Sequence, residues 1–263
     1  MENIFRDNLL NGKVAFLTGG GSGITLRIAE RYASHGAHVV LIGRRQEKLD
    51  AAVAGILATG GSASSCAADV RDYDALQQAF QKTRDLWGQI DLLVCGAAGN
   101  FPAPVLGMSA NAFKSVIDID LLGTFNTCRG AYEYLRKPGA SIISISATHA
   151  FTPIPLQAHV CAGKAGVDML SKVLAVEWGP AGVRVNVITP GPVDDTEGMR
   201  RLAPTEEARA NVSAKVPLRR FATKDEIADL ALFLSSAAAA YITGSIVVCD
   251  GGQSLSGHSL GLA

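Results

Sequence analysis

The sequence predicts an α/β domain built on a doubly wound, parallel, seven-stranded sheet, and three observations carry that expectation. Val14 to Thr18 is a strand-like run that passes directly into Gly19, Gly20, Gly21, Ser22 and Gly23, then into a helical pattern through Leu26, Ile28 and Ala29. Apolar runs and helix-period segments alternate along most of the chain, the order that a parallel sheet with helical crossovers requires. Ile90 to Cys95 is a short, mostly apolar run of the kind that is buried on both faces.

Taken in order, His38 to Gly43 is the second strand and ends at Arg44-Arg45. A polar-faced helix from about Gln46 to Ala58 leads to a third strand, Ser62 to Ala67, closed by Asp69. The helical stretch Tyr73 to Trp87 stops at Gly88, and the fourth strand, Ile90 to Cys95, opens into a small-residue loop, Gly96 to Asn100. Ser109 caps a long helix to about Arg136, which Pro138-Gly139 ends. Ala140 to Ser146 is the fifth strand, and a loop with Pro153 and Pro155 precedes a helix from Leu156 to Trp178, stopped by Gly179-Pro180. Val183 to Ile188 and Gly244 to Cys249 complete the strands, with a helix from Lys224 to Ser235 between them. Near residues 192–217 the alternation gives way to a polar, charged insertion beyond a strand's carboxyl end. Ligands bind at that edge of such sheets, so the insertion is expected to be a substrate lid.

The totals point to one domain and exclude several classes. A chain of 263 residues suffices for a single α/β core, and no change of composition marks a second. Lys plus Arg equals Asp plus Glu at 24 each, so nothing global calls for nucleic acid or an anionic membrane. The first residues, MENIFRDNLLNGK, have no apolar run of signal-peptide or membrane-span length, and the last, HSLGLA, match no short retention or import signal, which leaves the cytoplasm as the expected location. Cys66, Cys95, Cys128, Cys161 and Cys249 are odd in number and form no CxxC, so reduced core thiols are expected; no His, Cys or Asp spacing suggests a metal.

A buried strand ending in glycines before a helix makes a phosphate cradle. Glycine lets the backbone turn tightly and approach a pyrophosphate, while the N–H groups and dipole of the following helix attract its charge. The end of the next strand is where an adenosine ribose lies in a mononucleotide-binding βαβ unit. An acidic residue there favours a free 2′-hydroxyl and arginine a 2′-phosphate, so Arg44 predicts a Rossmann domain that binds NADP(H) over NAD(H). Phe101, Pro102, Phe113, Phe151, Ile154 and Met199 are candidates to line an apolar slot at the same edge.

From Gly12 to Gly252 these residues resemble the short-chain dehydrogenase/reductase family. TGGGSGI, Thr18 to Ile24, is similar to its cofactor loop, with Thr18, Gly19, Gly21, Ser22, Gly23 and Ile24 as cofactor contacts; Asp69-Val70 is similar to its adenine-contacting pair. GAAG, Gly96 to Gly99, resembles its NNAG element, which brings in Ala97 and Gly99, and Pro190-Gly191 its nicotinamide-side PG. Thr25 stands where the third glycine of the loop normally falls, and its side chain crowds the first helical turn.

The larger departure is at the family's YxxxK. Lys164 is present, but the tyrosine position is Val160 and the usual serine position is Ala147, so the phenol that follows a hydride with a proton to an alcohol oxygen is missing. One branch departs in the same way, the 2,4-dienoyl-CoA reductases, and the likeness to the peroxisomal type runs through CGAAGNF, NAFKSVIDIDLLGTFN, LQAHVCAGKAGVDML and LAVEWGPAGVRVNVITPGPVDDTEGMRRL. The resemblance implies that Asp120 replaces the family's catalytic asparagine, with Asp118 the less favoured neighbour. Asp120 and Lys164 then hold and polarise a water while NADPH delivers hydride to the δ-carbon of a 2,4-dienoyl thioester, and Lys164 also holds the nicotinamide ribose. His149, fifteen residues before Lys164, falls where mitochondrial-type members place a displaced tyrosine and is a third catalytic candidate; His159 has at most a supporting role.

Asn100, Phe101 and Met199 are the expected contacts of an acyl-CoA-type substrate, and Arg200, Arg201, Lys215, Arg219 and Arg220 are candidates to meet its polyanionic tail. The alternatives are a carbonyl reductase that uses His149 in place of tyrosine and a non-catalytic NADP-binding module. The helices Asn111 to Arg136 and Leu156 to Trp178 are apolar on more than one face, which suggests burial against partner subunits, and the resemblance likewise implies a homotetramer or homodimer.

Overall fold

In the computed structural model, which describes residues 4–256, seven strands form one parallel sheet: β1 (Val14–Thr18), β2 (His38–Gly43), β3 (Ser62–Ala67), β4 (Leu92–Cys95), β5 (Ser141–Ile145), β6 (Arg184–Pro190) and β7 (Ile246–Cys249). Their order across the sheet is β3-β2-β1-β4-β5-β6-β7. The chain therefore winds outward from β1, returns to β4 beside it, and winds outward the other way. The reversal between β1 and β4 opens a crevice at the strands' carboxyl ends. Every residue of β1 is buried because helices cover both faces, and Phe16 is paired with Val40 on one side and Leu93 on the other.

On one face α1 (Gly23–Ser34) packs against α9 (Lys224–Ser235), where Ile28, Tyr32, Ile227 and Leu232 join Leu17 and Leu41 in one apolar cluster. Each such side chain, fully buried, contributes about 1.5–3 kcal/mol relative to exposure. Ion pairs seal the rim: Arg27 and Arg31 reach Asp225 Oδ1 at 2.6 and 2.8 Å, and Arg31 also reaches Asp229 at 3.0 Å. A capping box starts α9, with Thr223 Oγ1 accepting from the Glu226 amide at 3.2 Å and Glu226 Oε2 accepting from the Thr223 amide at 2.8 Å. The other face is covered by α3 (Tyr73–Trp87), α5 (Gly123–Ala131) and α6 (Ala158–Trp178), with Phe80 and Leu174 packed on Phe16, Ile142 and Val185. All five cysteines are free.

The stretch expected as one helix from Ser109 to Arg136 is broken. It consists of α4 (Ala110–Ile117), a π-helical turn over Asp118–Leu122, α5, and a 3-10 turn at Tyr132–Tyr134. The Thr124 and Thr127 hydroxyls donate to the carbonyls of Asp120 and Gly123 at 2.6 and 2.7 Å, while Gly123 lies so close to Val70 that a β-carbon would fall 2.4 Å from its Cγ2. Single π turns inside α-helices occur frequently at functional sites. β4 starts at Leu92 because Ile90 bridges to Leu135 and the Asp91 carboxylate is taken by Lys13, Arg136 and the Val14 amide. The insertion near 192–217 contains α7 (Glu197–Leu202) and α8 (Glu206–Ala214). The C-terminal HSLGLA, with His258, lies outside the described residues. Among the described residues no helix is long and apolar enough to cross a membrane.

Candidate active site

The crevice is a cavity of about 1380 Å³, above the roughly 300–1,000 Å³ of common small-molecule sites. At one end it is lined by Gly19, Gly21, Ser22, Ile24 and Thr25. Gly19 has φ +74°, and a β-carbon on it would lie 2.7 Å from the Gly96 carbonyl oxygen, so only glycine fits this approach of two loops. Ser22 precedes α1, which opens at Gly23, but its side chain accepts no bond from the first turn, whose N–H groups are left for an anion. Thr18 sits beneath the loop, donating to the Val94 carbonyl at 3.4 Å and accepting from the Gly96 amide at 3.3 Å. Thr25 does not crowd the turn as expected. It is buried over Gly96, where a β-carbon would lie 2.1 Å from its hydroxyl oxygen, so the second loop's missing side chain makes its room.

Further along, Arg44, Arg45, Lys48, Asp69 and Val70 line the wall. The Asp69 carboxylate is gripped by Arg71 at 2.6 and 3.0 Å, and that bond, with a smaller contribution from Arg44, holds its pKa below the ordinary range. The two residues directly after β2 are both arginines, so the position that would hold a ribose-binding carboxylate is cationic. At the opposite end Pro190 and Gly191 line the cavity, and a β-carbon on Gly191 would meet Asp250 Cα at 2.7 Å.

Between these ends stands Lys164, on the buried side of α6. Its Nζ donates to the Ile145 carbonyl at 3.0 Å and lies 3.3 Å from Asp120 Oδ2. Asp120 is completely buried in the π turn, and its Oδ1 accepts from the Gly99 amide at 2.7 Å. Oδ2 makes no hydrogen bond of good geometry among the described residues and meets the Lys164 ammonium group as an ion pair instead. Asp120 lies behind the cavity wall, which Lys164 and Ile119 form in front of it. Asp118 instead pairs with the exposed Lys114 on the outer side.

His149 lines the cavity, and neither ring nitrogen has a hydrogen-bond partner among the described residues. Burial, reinforced by Lys164, lowers its pKa, which favours a neutral imidazole with one donor and one acceptor. Ala97 and Met199 also line the cavity. Gly99, Asn100 and Phe101 stand back from it: Gly99 holds Asp120, the Asn100 carbonyl accepts from Arg201 on α7 at 3.2 Å, and the Phe101 ring packs edge-on against fully buried His159 at 4.4 Å. Of the apolar-slot candidates, Pro102, Ile154 and Met199 line the wall, and Phe101, Phe113 and Phe151 do not. Gln157, Ser146 and Thr148 line it as well and were not singled out from sequence. The unpartnered Gln157 amide is the clearest omission, and its only signal was a polar residue at the start of an apolar helix.

A short-chain dehydrogenase model described as enoyl-(acyl carrier protein) reductase matches residues 19–254. The chain belongs to the short-chain dehydrogenase/reductase family. Membership makes it an oxidoreductase on a nicotinamide-cofactor fold. Within the family it is 43% identical to a peroxisomal 2,4-dienoyl-CoA reductase, (3E)-enoyl-CoA-producing, of Danio rerio, covering 95% of this chain and 84% of that one. The same identity relates it to the peroxisomal enzyme so named from Saccharomyces cerevisiae, over 96% of this chain and 87% of that one. Among solved structures, a short chain dehydrogenase from Bacillus anthracis superposes with a TM-score of 0.86 at 39% identity, covering 93% of this chain and 97% of that one.

Proposed function

We propose that the protein reduces a 2,4-dienoyl-CoA to an enoyl-CoA with NADPH. The observation that carries this reading is the fully buried Asp120 at 3.3 Å from Lys164, beside a tyrosine position occupied by buried Val160. A site that protonates an alkoxide needs a donor at that position; a site that protonates carbon does not. NADPH, when bound, supplies a hydride for the δ-carbon of the conjugated thioester. The glycine loop, the open end of α1 and Arg44 suit its phosphates, and Pro190-Gly191 its nicotinamide end.

Addition of a hydride to a conjugated thioester pushes negative charge onto the carbonyl oxygen and along the chain. The Lys164 ammonium group faces the cavity and holds a water there, and Asp120, paired with it at 3.3 Å from behind, polarises that water through the lysine. That water gives its proton to carbon. His149, kept neutral by burial, donates a hydrogen bond to the thioester oxygen. Met199 and Leu202 of α7 and Val212 of α8 close the cavity as a lid, and Lys215 and Arg219 at its mouth meet the phosphates of the CoA tail. The exposed apolar residues Phe125, Met169, Val173 and Val176 of α5 and α6 pack against a second copy in a dimer or tetramer.

NADPH oxidation, followed by absorbance with 2,4-hexadienoyl-CoA and a 3-oxoacyl-CoA in parallel, tests the reading. Turnover of the dienoyl compound is expected. Turnover of the oxoacyl compound alone overturns it in favour of a carbonyl reductase centred on His149, and silence with both despite NADPH binding overturns it in favour of a binding module.

A further inference from the structure

Gln157 lines the cavity, and the reaction above leaves it without a task. It is 2% exposed, and neither Nε2 nor Oε1 has a hydrogen-bond partner among the described residues. A carboxamide buried with neither group bonded is costly, because burial removes the water that satisfied both. Its backbone is fixed: the Gln157 amide donates to the Ile154 carbonyl at 3.2 Å, and its carbonyl accepts from the Cys161 amide at 2.8 Å. Gln157 is the N-cap residue of α6, yet its side chain makes no capping bond to the first turn, which leaves the carboxamide to the cavity.

The chain is bent immediately before it. Leu156 has φ +67°, a left-handed conformation that bulky residues rarely adopt, and its carbonyl accepts from the Ala103 amide at 2.9 Å. Strain of this kind clusters at active sites and ligand clamps. Ala103 directly follows Pro102, and both Pro102 and Ile154 line the same cavity as Gln157. Gln157 thus stands with the apolar-slot residues on the loop between β5 and α6, whereas Pro190 and Gly191 belong to the end of β6.

The two unbonded atoms define what satisfies them: a ligand that carries a donor and an acceptor close together. A thioester carbonyl is an acceptor only and would leave Oε1 buried and unpaired, and an acyl chain offers neither group. In a CoA thioester the first donor is the amide N–H one ethylene unit from the sulfur. We propose that Gln157 is a specificity residue that reads the pantetheine arm, Oε1 accepting from that N–H and Nε2 donating to a carbonyl oxygen of the same thioester. This rests on the reading that the substrate is an acyl-CoA. Gln157 moves no proton; it sets which acyl carriers the site accepts, favouring a pantetheine thioester over a simple ester or a free acid.

The test uses the full-length protein loaded with NADP+, as wild type and as Gln157→Met, which roughly keeps the side-chain volume and removes both polar groups. Calorimetry measures the affinity of two unreactive ligands, S-hexanoyl-N-acetylcysteamine and its analogue with an ester in place of the amide. Wild type is expected to prefer the amide by about tenfold. Gln157→Met should erase that preference, with thermal unfolding unchanged or raised, since no bond within the protein is lost. NADPH affinity, measured without thioester, should be the same in both proteins. A wild type that binds neither ligand, or binds both equally, overturns the proposal, and so does a preference that survives in Gln157→Met. Affinity lost equally for amide and ester shows that Nε2 alone is engaged and overturns the pairing with the N–H. A fall in NADPH affinity assigns the carboxamide to the nicotinamide amide and likewise overturns it. An erased preference together with no NADPH oxidation by 2,4-hexadienoyl-CoA overturns the dienoyl reading while supporting recognition of the pantetheine arm.

Discussion

Asp120 and Lys164 form a buried ion pair in which each partner has a second fixed contact, the Gly99 amide for the carboxylate and the Ile145 carbonyl for the ammonium group. Asp120→Ala leaves Lys164 buried without a counter-charge and is expected to cost about 3 kcal/mol of stability as well as at least a hundredfold in kcat, on the order expected for loss of a positioned proton carrier. Asp120→Asn retains an acceptor for the Gly99 amide, so it should recover most of the stability and little of the activity. Denaturant unfolding and dienoyl-CoA turnover on the two variants separate these effects; equal activity in wild type and Asp120→Asn would exclude a role for the carboxylate charge.

Thr25 and Gly96 should tolerate change only together. Gly96→Ala places its methyl group 2.1 Å from the Thr25 hydroxyl and is expected to cost about 1–3 kcal/mol through overpacking, with weaker NADPH binding because the cofactor loop must shift. Adding Thr25→Gly to Gly96→Ala removes the clash, and the two changes should couple by about 1 kcal/mol or more. A double-mutant cycle on thermal unfolding and NADPH affinity measures the coupling, and strict additivity would mean that the loops move apart freely.

Arg44 is exposed at the end of β2, on the cavity wall. Arg44→Ala should weaken NADPH by roughly tenfold, or about 1.4 kcal/mol, and leave NADH nearly unchanged, because only NADPH offers the 2′-phosphate. The ratio of dissociation constants by fluorescence titration is the measurement. A loss shared equally by both cofactors would show that Arg44 contacts something other than the 2′-phosphate.

His38 stacks on Trp87 with ring centroids 3.5 Å apart, and its two nitrogens bond Ser62 and Ser64 at 2.7 and 2.9 Å. Burial lowers its pKa from 6.5 to about 4. The unfolded chain therefore binds the proton more readily than the folded one between those values. Its contribution to stability is complete above about pH 6.5 and is lost as pH falls towards 4, by up to about 3 kcal/mol. Unfolding measured across that window should slope less steeply in His38→Phe, which keeps a ring on Trp87 and removes the titration; parallel slopes would contradict the assignment.

The strands and both loops of the crevice were readable because each rests on local chemistry: apolar runs, glycines at turns, and the cationic end of β2. The π turn at Asp118–Leu122 was not, since its residues have ordinary helical character and the close approach of the following Gly123 to Val70 is a contact between segments far apart in the chain. For the same reason Thr25 read as an obstruction, although the space it needs is made by Gly96, seventy-one residues later. Lys164 and Asp120 were found through motif positions. Ser146 and Gln157 were passed over because an unpartnered buried polar atom is a property of three-dimensional packing and leaves no spacing in the chain.

The clasp between α1 and α9 bears on the order in which the protein matures. The cofactor loop is complete in sequence by Thr25, but the helix that follows it buries Ile28 and Tyr32 in a cluster that Ile227 and Leu232 complete, and its Arg27 and Arg31 meet Asp225 and Asp229 on the same late helix. A nascent chain emerging from the ribosome would thus hold an oily, partly uncovered flank on α1 until α9 has been made, so the dinucleotide cradle is finished in packing long after it is finished in sequence.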